Sequence, residues 1–263
     1  MVLFPEHRFY GKSMPYGSRE KAYKNSASLA HLTAEQALAD FAVLVTDLKR
    51  NLSAEACPVV LFGGSYGGML AAWLRLKYPH IAIGALASSA PILQFENIVP
   101  SETFYDIVSH DFRRESVSCF DYIKNSWEAI EAEGEKADGL SHLTRTFHLC
   151  QKLNSTDDLS NWLSSAYSYL AMVDYPYPSE FLMPFNIIFS NGLLDPWSGG
   201  SVLQNVSETV IALVTKLGAH HIDLRAATNA DPDWLLEQRA SEINVIKEWI
   251  KIYYQETMTV LSM

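Results

Sequence analysis

The pentapeptide Gly63-Gly64-Ser65-Tyr66-Gly67 sets a serine in a glycine-rich turn, a setting in which it can serve as a nucleophile. A serine hydroxyl attacks a carbonyl poorly until a base takes its proton and its oxygen is pushed clear of neighbouring backbone. A strained strand-to-helix turn of the G-x-S-x-G type does the second job, and Gly63 and Gly67 leave room where side chains would clash. The helix that follows directs its first N–H groups at negative charge developing on a substrate. The turn lacks the Gly-Lys-Ser/Thr ending of a phosphate loop, so phosphate binding is poorly supported.

The elements around this turn are legible from hydrophobic periodicity. Pro58-Val59-Val60-Leu61-Phe62 is a strand buried on both faces, and Met69 to Tyr78 is a helix stopped by Pro79. Ile81 to Ala87 is a second strand, so strand, helix and strand imply parallel pairing through a right-handed crossover. Upstream, residues 1–10 read as a short strand entering a loop, and Gly11 to Leu32 as loop. Thr33-Ala34-Glu35-Gln36 forms a capping-box pattern for a helix to about Arg50, with Ala37, Leu38, Phe41, Leu44, Val45 and Leu48 on its apolar face. Four helices follow near 101–114, 119–134, 139–150 and 157–172; the last places Leu159, Trp162, Leu163, Ala166 and Leu170 at helical spacing. Strands resume at Phe185–Phe189 and Thr209–Val214. A final helix, capped at Asp231-Pro232, buries Leu235, Leu236, Ile243, Ile246 and Ile250.

Such a strand–turn–helix context belongs to α/β-hydrolases, in which the acid and the base follow the serine in the order Ser, Asp, His. Asp195 lies just past the strand Phe185–Phe189, and His220-His221 follow the next strand. Both loops leave the carboxyl ends of strands, the edge that also carries Ser65. The acid would hold the imidazole in one tautomer and the imidazole would take the serine proton; position alone does not separate His220 from His221. The expectation is an α/β fold: an α/β-hydrolase core in two parts, residues 1–94 and 185–263, around a helical cap insertion at 95–184.

Composition narrows the partners. A chain of 263 residues suits one large α/β domain or a core with an inserted subdomain. A net charge of −10 argues against nucleic acid, and no apolar run approaches the length of a membrane span. His220-His221 with Asp223 lack metal-site spacing, so no metal or cofactor is expected. Three sequons begin at Asn51, Asn154 and Asn205. No signal peptide is evident at the N-terminus, and three cysteines, Cys57, Cys119 and Cys150, leave at least one unpaired.

Longer stretches extend the pattern. Phe62 to Trp73, Glu6-His7-Arg8-Phe9-Tyr10-Gly11, Ala171 to Tyr177, Leu194-Asp195-Pro196-Trp197-Ser198-Gly199-Gly200 and Gly218-Ala219-His220-His221 together resemble the prolyl carboxypeptidase/dipeptidyl peptidase II family of serine peptidases. The chain is nearer the Pro-X carboxypeptidase branch of that family through Ala71-Ala72-Trp73 and Gln94 to Pro100. The resemblance implies Ser65, Asp195 and His220 as the triad, with Tyr66 N–H in the oxyanion hole. It implies Met69 and Trp197 at a proline pocket, with His221 and Arg225 tuning the base. Its substrate is a peptide with penultimate proline, cleaved in a lysosomal or secreted setting. Against the family's pattern this chain lacks strands ahead of Glu6 and carries a shortened cap that joins the Asp-bearing strand at residues 177–185. Reduced or absent activity is therefore expected, and Cys119 and Cys150 either pair with each other or stay free.

Overall fold

Four short apolar runs become the strands of one parallel sheet in the computed structural model of the chain, which describes residues 1–172, 186–206 and 210–261. The strands are β1 (Val60–Gly64), β2 (Gly84–Ser88), β3 (Ile187–Gly192) and β4 (Val210–Thr215), hydrogen-bonded in that order. In register, Gly64 stands opposite Ser88, Ser88 opposite Ser190, and Ser190 opposite Leu213. β2 and β3 are wholly buried, as expected of strands covered by helices on both faces.

The helices are α1 (Arg19–Ala22), α2 (Ser26–Leu29), α3 (Ala34–Asn51), α4 (Tyr66–Lys77), α5 (Thr103–Glu115), α6 (Val117–Gly134), α7 (Gly139–Thr146), α8 (Thr156–Met172) and α9 (Asp233–Leu261). α3 begins where the capping pattern places it: Thr33 Oγ1 accepts from Gln36 N–H at 3.3 Å. The Gln36 side chain does not complete the box, because it accepts from Arg8 instead. α3 and α4 share one apolar cluster built on Leu38, Phe41, Leu70 and Leu74. α4 packs against the sheet through Ala71 and Ala72. On the other side of the sheet Val245, Ile246 and Trp249 of α9 pack against Leu86, Ile188, Ile211 and Leu213. The helices between β2 and β3 keep a core of their own, centred on Ile130, Leu143, Leu153, Leu159 and Leu163.

Several expectations are corrected. Residues 1–7 form no strand, and Met1, Val2 and Phe4 are largely exposed. A strand needs a ladder partner, and the sheet of the described residues ends at β1, where Phe62 is itself exposed. Polar contacts hold the next stretch: Arg8 grips Asp40 bidentately at 2.6 Å and Phe9 is fully buried. The segment from Gly11 to Leu32 is not all loop, since α1 and α2 lie in it, each capped by a side chain (Ser18 and Asn25). On α8, Trp162 and Leu170 are exposed because Leu159 and Leu163, four apart, form the stripe that meets the other helices. On α9, Leu236 and Ile243 are exposed for the same reason, and part of the buried face is polar: Gln238, Ser241 and Glu242. Asp231 does not cap α9; its carboxylate accepts from Thr228 and Arg239. The cysteines are all free and exposed. The strand boundary at Phe185 lies outside the described residues, as do Val173 to Pro184.

β2 passes so close to α9 that a side chain at Gly84 would fall inside the Trp249 ring. Gly84→Ala is expected to cost about 1–3 kcal/mol by overpacking, read as a lower urea midpoint; an unchanged midpoint would mean that the indole yields freely.

Candidate active site

Ser65 ends β1 and caps α4 with φ 56° and ψ −127°, a backbone conformation that side chains rarely adopt. Two contacts hold it there. Its N–H donates to the Ser88 carbonyl of β2 at 2.9 Å, and its carbonyl accepts from Met69 N–H at 3.1 Å. The glycines around it differ in their purpose. A side chain at Gly63 would collide with the Gly67 backbone, whereas one at Gly67 would meet nothing within 4 Å. Of these two, only Gly63 is therefore required by space; Gly68 is tight as well, with the Gly63 carbonyl 2.9 Å from where its Cβ would lie. Tyr66, Gly67 and Gly68 form the first turn of α4, where N–H groups lack intrahelical acceptors and face any negative charge placed at Ser65.

Asp195 and His220 meet. Asp195 is fully buried just beyond β3, and its Oδ2 lies 3.0 Å from His220 Nδ1. Its Oδ1 accepts from Trp197 N–H at 3.1 Å, which orients the carboxylate. An ionised carboxylate can only accept, so Nδ1 carries the hydrogen and Nε2 is left as an acceptor for a serine proton. The His220 N–H donates to the Met172 carbonyl at the end of α8, and Trp197 Nε1–H points to Met172 Sδ at 3.2 Å. Phe104 of α5 stacks on Trp197 with ring centroids 4.5 Å apart. The helical block thus roofs this edge of the sheet. Among the described residues no hydrogen bond joins His220 to Ser65. Such bonds often close only when substrate is bound.

His221 is in a left-handed conformation, φ 40°, with its N–H on Ser89 Oγ at 2.8 Å. Its ring lies 4.4 Å from that of His220 and covers Gly64, where an added Cβ would come within 2.9 Å of the imidazole. Burial first, and then the neighbouring His220, lowers the His221 pKa below 6.5, so it is disposed to remain neutral. Arg225 is exposed at the end of the same turn. Met69 packs against the α4–sheet cluster, and Trp197 contacts Phe104 and Met172. Asn51, Asn154 and Asn205 are all exposed, and Asn205 Oδ1 accepts from Ala212 N–H.

Sequence reasoning missed the support beneath the histidines. Arg239 of α9 donates to the carbonyls of Ile222, Asp223 and Arg225 and pairs with Asp231, clamping the turn after His221. Below it, Ser88 Oγ donates to Asp223 Oδ1 at 2.5 Å, Ser190 Oγ to Glu242 Oε1 at 2.9 Å, and Gln238 Nε2 to Ser190 Oγ. Asp223 and Glu242 are both buried, and Asp223 Oδ2 has no donor while both acids are ionised. A proton on Glu242 supplies that donor. Burial, then the charge of Asp223, raises the Glu242 pKa well above 4.5. The available signal was Gln238 and Glu242, four apart on a helix whose apolar residues mark the same buried face.

Comparison with known proteins assigns the chain to the serine peptidases. It belongs to the family described as Serine carboxypeptidase S28, whose profile matches residues 1–186 and 181–242. Lysosomal Pro-X carboxypeptidase of Homo sapiens is 35% identical over 376 residues, covering 97% of this chain and 75% of that protein. The Mus musculus protein of the same name is 33% identical over 97% of this chain and 76% of its own length. Prolyl carboxy peptidase like protein 5 of Caenorhabditis elegans is 28% identical, covering 95% and 77%. The parallel sheet flanked by helices is the α/β-hydrolase-like fold expected from the elbow. No helix among the described residues is long and apolar enough to cross a membrane.

The buried acid pair gives a signed pH prediction. The unfolded Glu242 loses its proton near 4.5 while the folded one keeps it, so this group's contribution to stability is greatest below that pH and falls as pH rises. Glu242→Gln stays neutral throughout. Its melting temperature should match the parent at about pH 4 and exceed it increasingly towards about pH 8; a pH-independent difference would show that the pair carries no such cost.

Proposed function

We propose that the chain is a serine exopeptidase of the Pro-X carboxypeptidase type, releasing the residue that follows a penultimate proline. The observation that carries this reading is the 3.0 Å contact between Asp195, which chain order had singled out, and His220, the first of the two histidines it left as candidates. Ser65 Oγ attacks the carbonyl carbon of proline while His220 Nε2 takes its proton. The oxyanion forms against Tyr66 N–H and the amino end of α4. Collapse breaks the C–N bond, His220 returns the proton to the leaving amine, and water then hydrolyses the acyl-Ser65 ester. Met69 and Trp197 are the proposed proline contacts, and His221 with Arg225 biases the base. In this reading residues 1–94 and 185–263 are the catalytic core and 95–184 the cap. The setting is a lysosome or secretory route, with glycans at Asn51, Asn154 and Asn205.

A second reading is a catalytically weak chain. It is favoured by alignments to relatives that run over 376 residues against the 263 of this chain. The two profile matches meet at residues 181–186, where the shortened cap was expected to join the core.

A serine-reactive fluorophosphonate should label the chain, and Ser65→Ala should abolish labelling. Failure of the parent chain to label would establish the weak reading. Asp195→Asn should lower kcat by about 10⁴ through loss of the productive tautomer, against a peptide blocked at its N-terminus and ending in Pro-Phe. Cleavage only of peptides with a free N-terminus and a blocked C-terminus would instead make the enzyme a dipeptidyl peptidase.

A further inference from the structure

A cleft of about 310 Å³ lies at the opposite edge of the sheet from Ser65. Its floor is the entry to three strands, at Val59, Ile83 and Asn186, and its walls come from α3, α4 and α9. Among the described residues the charged groups lining it are Lys49 and Arg75, joined by His80, with no carboxylate. In a chain of net charge −10, that is a local reversal.

The cations are uncompensated. Neither Lys49 nor Arg75 has an ion-pair partner among the described residues, and Arg75 Nε is buried with no acceptor. Burial lowers the Arg75 pKa with no opposing contribution from an acid. Trp249, almost wholly buried, also lines the cleft and keeps its indole N–H without a partner among the described residues. Lys49 and Arg75 each occupy the last turn of a helix, where the dipole favours cations. The dipole accounts for their charge. It does not account for a cleft that gathers two cations with no carboxylate among the described residues that line it, a setting that favours an anion supplied from outside.

The rest of the lining is apolar, with Pro58, Ile83 and Ile252 beside the Trp249 ring. A fully hydrated oxyanion gains nothing from such walls, whereas a carboxylate on a hydrocarbon body uses both. We propose that this cleft binds a small amphipathic carboxylate, with its charged group between Arg75 and Lys49 and its apolar body against Trp249, Ile83 and Ile252. A free aliphatic acid and the C-terminal carboxylate of an apolar peptide share this chemistry. The proposal does not depend on the serine peptidase reading, because the cleft and the Asp195–His220 pair lie at opposite ends of the strands.

Cys57 lines the cleft and is exposed, while Cys119 and Cys150 are exposed elsewhere, so the chain carries its own reporter and two controls. Alkylation of the intact chain by iodoacetamide, read residue by residue by mass spectrometry, is measured with octanoate, N-acetyl-Ile-Phe, octanol and inorganic phosphate. Octanoate or the acetyl dipeptide should slow labelling of Cys57 alone, and whichever protects at the lower concentration identifies the source. Octanol, which lacks the charge, and phosphate, which lacks the body, should protect far less. Arg75→Met should raise the half-protecting concentration at least about tenfold, as loss of a charge-assisted hydrogen bond does. Lys49→Met, at the half-exposed rim, serves the same purpose should Arg75→Met melt early. Protection by octanol or phosphate equal to that by octanoate, retention of protection in both folded variants, or no protection by either carboxylate would overturn the proposal.

Discussion

Parallel pairing on both sides of β2 is the constraint on which the rest of the site depends. It aligns Gly64, Ser88 and Ser190 in one row across the sheet, so the loops after β1, β2 and β3 open at the same edge. The outer pair does not stop there. β3 and β4 continue to Gly192 and Thr215, two residues beyond that row, or about 7 Å at a strand's rise. Those extra rungs project the loops that carry Asp195 and His220 beyond the edge where Ser65 turns back into α4. A shift of one residue in the β2–β3 register would exchange the faces of every β3 side chain and undo the arrangement.

Holding that edge open has a physical cost. Ser65, Ser89 and His221 all have positive φ without being glycine, a strain of order 1–3 kcal/mol each. The backbone holds each in place: Ser65 N–H to Ser88, Ser89 N–H to Ser190, and His221 N–H to Ser89 Oγ. Beneath them a buried polar network replaces what an ordinary sheet–helix interface would fill with aliphatic groups. Ser88 and Ser190 reach from the strands, Gln238 and Glu242 from α9, and Asp223 from the turn between. A neutral Glu242 matters to this network because it supplies the hydrogen that Asp223 Oδ2 otherwise lacks. Arg239 then fixes the turn through three backbone carbonyls, which specify position regardless of side chain.

What the sequence made legible follows the same physics. The strands next to Ser65, Asp195 and His220 were readable because buried parallel strands are short, continuous apolar runs. Chain order then selected Asp195 among many aspartates, and the Asp195–His220 contact separates the first histidine of the pair from the second. Residues 1–10 misled because an apolar, β-rich segment announces a strand without announcing its partner; Met1, Val2 and Phe4 find none beside β1. α9 misled because helical periodicity identifies a face only when that face is apolar, and Gln238, Ser241 and Glu242 occupy the buried one. Gly67 illustrates a subtler failure. Its place in the motif suggested a steric need, yet the space beside it is open, and the need belongs to Gly63.

α4 connects the two ends of the molecule. Its amino end starts at Ser65 and its last turn carries Arg75 and Lys77, so one macrodipole favours negative charge at the first and positive charge at the second. The buried acids Asp195, Asp223 and Glu242 sit at the serine end, while no carboxylate among the described residues lines the cleft beside Arg75. At the serine edge the field of the helix is answered by charge that exists only during reaction. At the far edge the cations are permanent, and no carboxylate among the described residues lines the cleft beside them. An interior that surrounds an awkward acid pair with Ser88, Ser190 and Gln238, yet sets Lys49 and Arg75 beside an open cleft with no carboxylate among its described lining, is arranged for an anion from outside the chain.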